Sequence, residues 1–376
     1  MSLRVALALA ALVGLVPLLP LPGSAQPVGG EREALLARAE DDLARLDVTA
    51  ALPLFERAAS MAHRADSELG LVRVYMQDGQ YRRALSFVAH TAAAHRDDPG
   101  GALLHAWLLD LGGQAAAARA IADEAARRWP GDARVAEVVK QVGSPMPIAR
   151  GDLLRLPARL APYGAIRGVS ANARVAGSGT LLPDGVRVIV PIALLPPASA
   201  LWVRNGIGGS SRASIERRYP DLGIAVLRLS TPLRVSGRLE VARRDAFPGS
   251  VAFAVGYASS ADAQPAWPAL RAGFVGDAAE DGRRRLPIDG AAAIHGGPVF
   301  DRRGALAGVA MPGTKRGDVW LLPVSRLPTV AHTAPLGDES ARSIAASDEI
   351  YESGMLHAVQ VVVAGIPVST RIQDAH

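Results

Sequence analysis

Histidine and serine carry the acid–base and nucleophilic chemistry on offer in this chain, because its 376 residues include no cysteine. The eight histidines fall into two groups: His63, His90, His95 and His105 in the first half, and His295, His332, His357 and His376 in the second. Acyl transfer needs a hydroxyl nucleophile, a base within hydrogen-bond reach and an acid that fixes the base's tautomer. Ser178, Ser210, Ser211 and Ser214 qualify by identity alone, since none pairs with a histidine in a recognisable pattern. The sharpest local signal is Ala293-Ile294-His295-Gly296-Gly297-Pro298-Val299-Phe300, a glycine-rich turn that offers an imidazole and no hydroxyl. In the first half, His90 and His95 are five apart and so lie off one helical face. The four histidines there read as ordinary surface residues without metal-ligand spacing, and neither a metal nor a cofactor is expected.

The segment around His295 belongs to a β-rich half. From about Leu154 to Val330, short Val, Ile and Leu runs alternate with Gly, Pro, Asp and Asn, as closely spaced antiparallel strands do. Gly177-Ser178-Gly179-Thr180 followed by Pro183-Asp184-Gly185 and Val186 to Val190 reads as strand, tight turn, strand. These motifs, with Tyr219-Pro220-Asp221-Leu222-Gly223-Ile224-Ala225-Val226-Leu227, Pro248 to Gly256, the His295 loop and Leu322-Pro323-Val324, resemble in order the landmarks of trypsin-like and HtrA-like serine protease domains. The resemblance implies an all-β double barrel over residues 154–333. It also implies three catalytic positions, and all three hold the wrong residue. Ala193 takes the general base's place, Gly223 that of the orienting acid, and His295 that of the serine. No catalytic residue is therefore expected. The competing reading is an active serine-type endopeptidase of this family with non-standard catalytic residues.

Residues 334–376 form a C-terminal tail in which Ser347 to Gly354 reads as a capped helix and Met355 to Val363 as a strand. The pair resembles the helix and first strand that begin an HtrA-like domain; the strand would return to the barrel or serve a partner's sheet edge.

Residues 26–142 read as helical. Gly79-Gln80 followed by Arg83-Ala84-Leu85 recurs 34 residues later as Gly113-Gln114 followed by Ala117-Ala118-Arg119, with an earlier copy in Ala51 to Ala58. Such a period, with a small residue, a large one four on and a small one three further, resembles the tetratricopeptide repeat, two antiparallel helices per unit. A solenoid of this kind presents a concave side from the first helix of each pair and typically recognises proteins or peptides. Residues 143–153, with Gly143, Pro145 and Pro147, read as a linker.

Arg4, an apolar run from Val5 to Leu21 and Gly23-Ser24-Ala25 have the layout of a secretory signal cleaved after residue 25. The net charge of +5 is spread among acidic residues, and even Arg283-Arg284-Arg285 is flanked by Asp277, Glu280 and Asp281, so nucleic acid is not an expected partner. The reading is an exported, periplasmic or secreted protein, free of the membrane after signal cleavage, whose inactive protease domain and repeats bind or scaffold a protein or peptide partner.

Overall fold

The computed structural model describes residues 28–142 and 162–365, apart from 198, 236–238, 289–293, 314, 316 and 330–343. The expected signal peptide, the linker and Ala293 lie outside the described residues.

Among the described residues seven helices come first: α1 (Val28–Ala44), α2 (Val48–Met61), α3 (Ala65–Gln77), α4 (Tyr81–Ala94), α5 (Pro99–Leu111), α6 (Ala115–Arg128) and α7 (Ala133–Gln141). The second helix of each pair buries one stripe with the same spacing: Ala51, Phe55 and Ala58 in α2, Ala84, Val88 and Thr91 in α4, Ala118, Ala122 and Ala125 in α6. Residues at i, i+4 and i+7 share a helix face, so the sequence period becomes a packing period. The turns repeat as well. Gly79 and Gly113 take left-handed backbone (φ 79° and 81°), and the residue after each donates its N–H back to the penultimate turn, Gln80 to Tyr75 and Gln114 to Leu109. Asp98 and Asp132 start α5 and α7 by accepting the N–H groups of Gly100 (2.7 Å) and Arg134 (2.8 Å).

Twelve strands follow among the described residues, in two six-stranded sheets. The first is a closed barrel of β1 (Arg174–Leu181), β2 (Arg187–Pro191), β3 (Ser199–Asn205), β4 (Ser210–Tyr219), β5 (Ile224–Leu229) and β12 (Ala358–Gly365), in the order β1-β12-β3-β4-β5-β2. The second contains β6 (Val251–Gly256), β7 (Ala269–Phe274), β8 (Arg284–Arg285), β9 (Pro298–Phe300), β10 (Leu306–Pro312) and β11 (Val319–Pro323), in the order β7-β6-β9-β10-β11-β8. Just past β7, Gly276 donates to Arg285 and Arg285 to Asp277, which curls this sheet towards closure. A walk round it visits β6, β7, β8, β11, β10 and β9. The first barrel repeats this walk only when β12, the last strand in the chain, is counted first: β12, β1, β2, β5, β4, β3. The two halves are one topology, and the first is circularly permuted relative to the second. The fold is a double β-barrel of trypsin-like type behind a helical repeat module.

The C-terminal segment is therefore no tail. Helix α8 (Ser347–His357) leads into β12, which pairs with β1 on one side and β3 on the other. Val359, Val361 and Val363 fill the barrel interior, while Val362 and Ala364 pack on its outer face with Val175 and Trp202. Gln360 points outward too. It accepts from the fully buried Arg204 (2.7 Å), whose other nitrogens donate to the carbonyls of Gly164 and Ala263 (2.8 Å each). Burial pushes the Arg204 guanidinium down to about 10.

One apolar core runs through both halves. It includes Trp107 and Tyr81 of the helices together with Trp267, Leu270, Tyr351 and Met355. Trp107 and Trp267 have ring centroids 5.1 Å apart, Tyr81 and Tyr351 4.4 Å, and the Tyr351 hydroxyl donates to the Pro268 carbonyl (2.7 Å). The repeat turns are the docking points: Gly79 lies against Leu356 and Ile207, Gly113 against Leu270. The concave side does not present the expected surface. All of α3 except Asp66 is buried, and so is all of α5 except Ala102 and His105. A helix apolar on every side is a core helix, and α5 carries Leu103, Leu104, Ala106, Trp107, Leu108, Leu109 and Leu111.

Candidate functional site

Strand β2 ends at Pro191, where the missing amide stops the ladder and a 3-10 turn, Ile192–Leu194, carries Ala193. Strand β5 begins after another tight turn, Pro220–Leu222, closed by Gly223 at φ 70°. The two turns touch, the Ile192 N–H donating to the Gly223 carbonyl (2.9 Å). A Cβ placed on Gly223 would meet Met311 of β10 at 3.6 Å, so this corner faces the second barrel. The third position arrives from the loop before β9: the His295 carbonyl accepts the Ser178 N–H (2.9 Å), and the Cβ position of Gly177 lies 2.9 Å from Leu194 and 3.3 Å from that carbonyl. Ala193, Gly223 and His295, scattered over a hundred residues of chain, thus come to one seam between the barrels.

The seam holds little chemistry. Ala193 and Gly223 have no side-chain donor or acceptor. Burial pushes the His295 imidazole below its usual range, the Asp318 backbone pulls it partly back up, and its Nε2 makes no hydrogen bond among the described residues. Ile294, beside it, is wholly buried with Ala254, Val299 and Ala310, so it anchors the loop in the second barrel's core. Of the candidate serines, Ser178 is nearest, yet its hydroxyl is committed on both sides to Tyr257, accepting from the N–H at 2.7 Å and donating to the carbonyl at 3.2 Å. Ser211 receives the Thr231 N–H and hydroxyl (3.0 Å each), away from any histidine contact given by the fold. A groove of about 460 Å³ lies elsewhere, on the outside of the first barrel beside Arg187, Glu216, Arg217 and Tyr219. Its hydroxyls are those of Tyr219 and Thr329, and no histidine is among the residues that line it.

Residues 42–108 match the family model described as the tetratricopeptide repeat. The helical half is a tetratricopeptide-repeat module. No curated protein matches the chain. Among solved structures, the protease domain of MamO from Magnetospirillum magneticum is 19% identical over 43% of this chain and 98% of its own, with a TM-score of 0.32. A serine endoprotease from Yersinia pestis is 14% identical over 42% of this chain and 61% of its own (TM-score 0.32), and an O-GlcNAc transferase from Thermobaculum terrenum is 17% identical over 30% and 22% (TM-score 0.27). At such scores the likenesses decide nothing about chemistry. The double barrel rests on strand order and register.

His63 and His90 are exposed as expected, but two histidines of the repeat module come together where no ligand spacing is expected. His63, in the turn between α2 and α3, and His95, capping α4, converge on Glu68 of α3, where the linear spacing shows no pattern. Antiparallel packing of α3 and α4 brings the start of one against the end of the other. No helical-face argument along the sequence reaches across that return. No helix among the described residues is long and apolar enough to cross a membrane.

Proposed function

We propose that the chain is an exported pseudoprotease, a double barrel whose catalytic positions are Ala193, Gly223 and His295, joined to a repeat module that binds or scaffolds a protein or peptide in the cell envelope. One observation carries the reading. The three positions meet at the inter-barrel seam, and none supplies a hydroxyl, an accessible base or an orienting acid. Removing a single member of such a triad already lowers the rate by about 10⁴-fold or more. With all three absent and Ser178 held by Tyr257, covalent hydrolysis has no starting group.

A tetratricopeptide module supports the binding role, since such repeats are recognition surfaces far more often than enzymes. With α3 and α5 buried, the surface the module offers a partner is that of α1, of the second helices α2, α4 and α6, and of α7. The test is direct. Purified protein exposed to a fluorophosphonate probe and to a fluorogenic casein substrate gives no labelling and no turnover. Labelling abolished by one serine substitution would overturn the proposal. Export is checked by N-terminal sequencing of the protein from an envelope fraction, with Gln26 as the expected first residue.

A further inference from the structure

In the repeat module, His63, Glu68 and His95 form a cluster whose ligand-capable atoms all lie within 4.8 Å of one another. The His63 Nε2 is 2.6 Å from Glu68 Oε1, and the His95 Nε2 is 3.4 Å from Glu68 Oε2. The imidazole centroids of His63 and His95 are 4.7 Å apart. The Glu68 side chain is 5% exposed and that of His95 13%, whereas His63 is 63% exposed at the rim. Glu68 Oε2 and His95 Nε2 are both buried, face each other, and make no hydrogen bond among the described residues.

A buried carboxylate oxygen and a buried imidazole nitrogen that lie 3.4 Å apart without hydrogen-bond geometry are poorly compensated for their loss of water. The start of α3 places Glu68 in a helix's first turn, where the peptide dipoles favour a negative charge, but that favours the carboxylate without supplying a partner for either atom. Neighbouring charge is already engaged: Arg32 pairs with Asp66, and Arg73 with Glu40. One divalent cation satisfies all three groups together.

We infer that His63, Glu68 and His95 form a binding site for a divalent transition-metal ion of the Zn²⁺ class. Two imidazole nitrogens and one carboxylate oxygen suit zinc and its neighbours rather than magnesium or calcium, which take oxygen ligands. Bonds of about 2.0–2.1 Å around a tetrahedral ion put its ligand atoms about 3.3 Å apart. The His95 Nε2 to Glu68 Oε2 separation of 3.4 Å already matches that value, and the His63 ring, 2.6 Å from Oε1, must move outward from Glu68 and towards His95; the exposed ring is the one free to do so. Three protein ligands leave a fourth position, which opens on the His63 side to water or to a partner's side chain. A filled site ties the α2–α3 turn to the end of α4 and so stiffens the junction between two repeats.

The experiment uses tag-free full-length protein stripped with a chelator and titrated with Zn²⁺ by calorimetry, with Co²⁺ absorption as a second readout. One equivalent of Zn²⁺ binds, Co²⁺ shows the visible bands of a tetrahedral or five-coordinate site, and the melting temperature rises with metal because the ion binds the folded state. His63→Ala is the informative variant, because its exposed ring is dispensable for folding. It weakens binding by more than the about 10–100-fold that follows loss of a supporting contact, and it abolishes the metal-dependent rise in melting temperature while leaving the apo value in place. Glu68→Gln, which keeps shape and loses charge, does the same to binding. Wild-type protein that takes up no Zn²⁺, or uptake of one equivalent unchanged in the His63→Ala and Glu68→Gln proteins, overturns the assignment.

Discussion

Tyr351 tests whether the repeat module and the barrels are one cooperative unit. Its ring is fully buried between Tyr81 of α4 and the loop before β7, and its hydroxyl donates to Pro268. Burial raises its ionisation well above the usual phenol range, so the group acts as a neutral donor at every relevant pH. Truncating a large buried ring to Ala removes transfer free energy and leaves a cavity, together about 3–5 kcal/mol. With about 2.1 cal/mol/K of unfolding entropy per residue, a unit of this length shifts by about 1.3 °C per kcal/mol, so Tyr351→Ala lowers the melting temperature by roughly 4–7 °C. Tyr351→Phe keeps the packing and strands the Pro268 carbonyl, a loss of about 1–3 kcal/mol. Arg82, which bridges Glu349 and Glu352 across the same junction, is half exposed, and Arg82→Ala changes stability by about 1 kcal/mol or less. At this point of the junction apolar contact outweighs the exposed ion pairs of Arg82; Arg234 with Asp78 and Arg271 with Asp110 join the halves elsewhere. Differential scanning calorimetry decides it: the wild type melts in one transition, and Tyr351→Ala moves that whole transition. Two resolved transitions, with only one displaced by the substitution, would refute a shared core.

Glycine at the repeat turns gives a paired measurement. Ala in left-handed backbone costs about 1–2 kcal/mol, so Gly79→Ala and Gly113→Ala both destabilise in urea titration, and Gly113→Ala more, because its new methyl would lie 2.6 Å from Leu270 while Gly79 has only ordinary contacts. Equal losses would mean that Gly113 does not dock on β7 as described. His357 predicts a pH effect. Burial pushes its imidazole below the ordinary 6.5, although the Leu181 carbonyl, 3.0 Å from Nδ1, works the other way. The unfolded chain then binds the extra proton first, so this contribution to stability is present above pH 6.5 and is lost as pH falls from there towards the lower folded value. His357→Asn keeps a donor for Leu181 and flattens the stability profile between about pH 7 and 5; an unchanged profile counts against a buried neutral ring.

What the sequence made legible was local. The turn glycines and the buried stripes follow from a 34-residue period, and the pairs α3–α4 and α5–α6 reproduce them down to the hydrogen bonds of the turn, while Leu46 takes the glycine's place between α1 and α2. Strand β12 was legible as a strand, but its slot between β1 and β3 depends on residues more than 150 positions away, and pairing at such range leaves no mark in its own composition. The concave surface was misread for a physical reason. A heptad-like count of small and large residues finds the inter-helix stripe, yet the all-round apolarity of α5 was the signal that its other face is covered too. The His63, Glu68 and His95 cluster left no sequence signal at all, since an imidazole in a turn and another at a helix end meet only through the return of the chain.

The glycine-rich turn at residues 295–298 is explained by packing alone. Gly296 holds φ 92°, and a Cβ there would strike the Ser178 carbonyl and lie 2.8 Å from Pro191. Gly297 would strike the Val255 carbonyl, and Pro298 enters β9 against β10. The Gly296 carbonyl accepts the buried Thr180 hydroxyl at 3.0 Å, and its N–H donates to Ala310 at 2.7 Å. These two glycines therefore join β1 of one barrel to β6 and β10 of the other, a task that needs absent side chains and left-handed backbone whether or not a nucleophile precedes them. The His295 side chain takes no part in that joint and instead meets the Asp318 backbone. Substituting it with Ser leaves the fold intact but restores no hydrolysis, because Ala193 and Gly223 still provide neither base nor orienting acid. Measurable fluorophosphonate labelling of the His295→Ser protein would show that some other group at the seam can activate a hydroxyl, and would require the catalytic reading to be rebuilt around it.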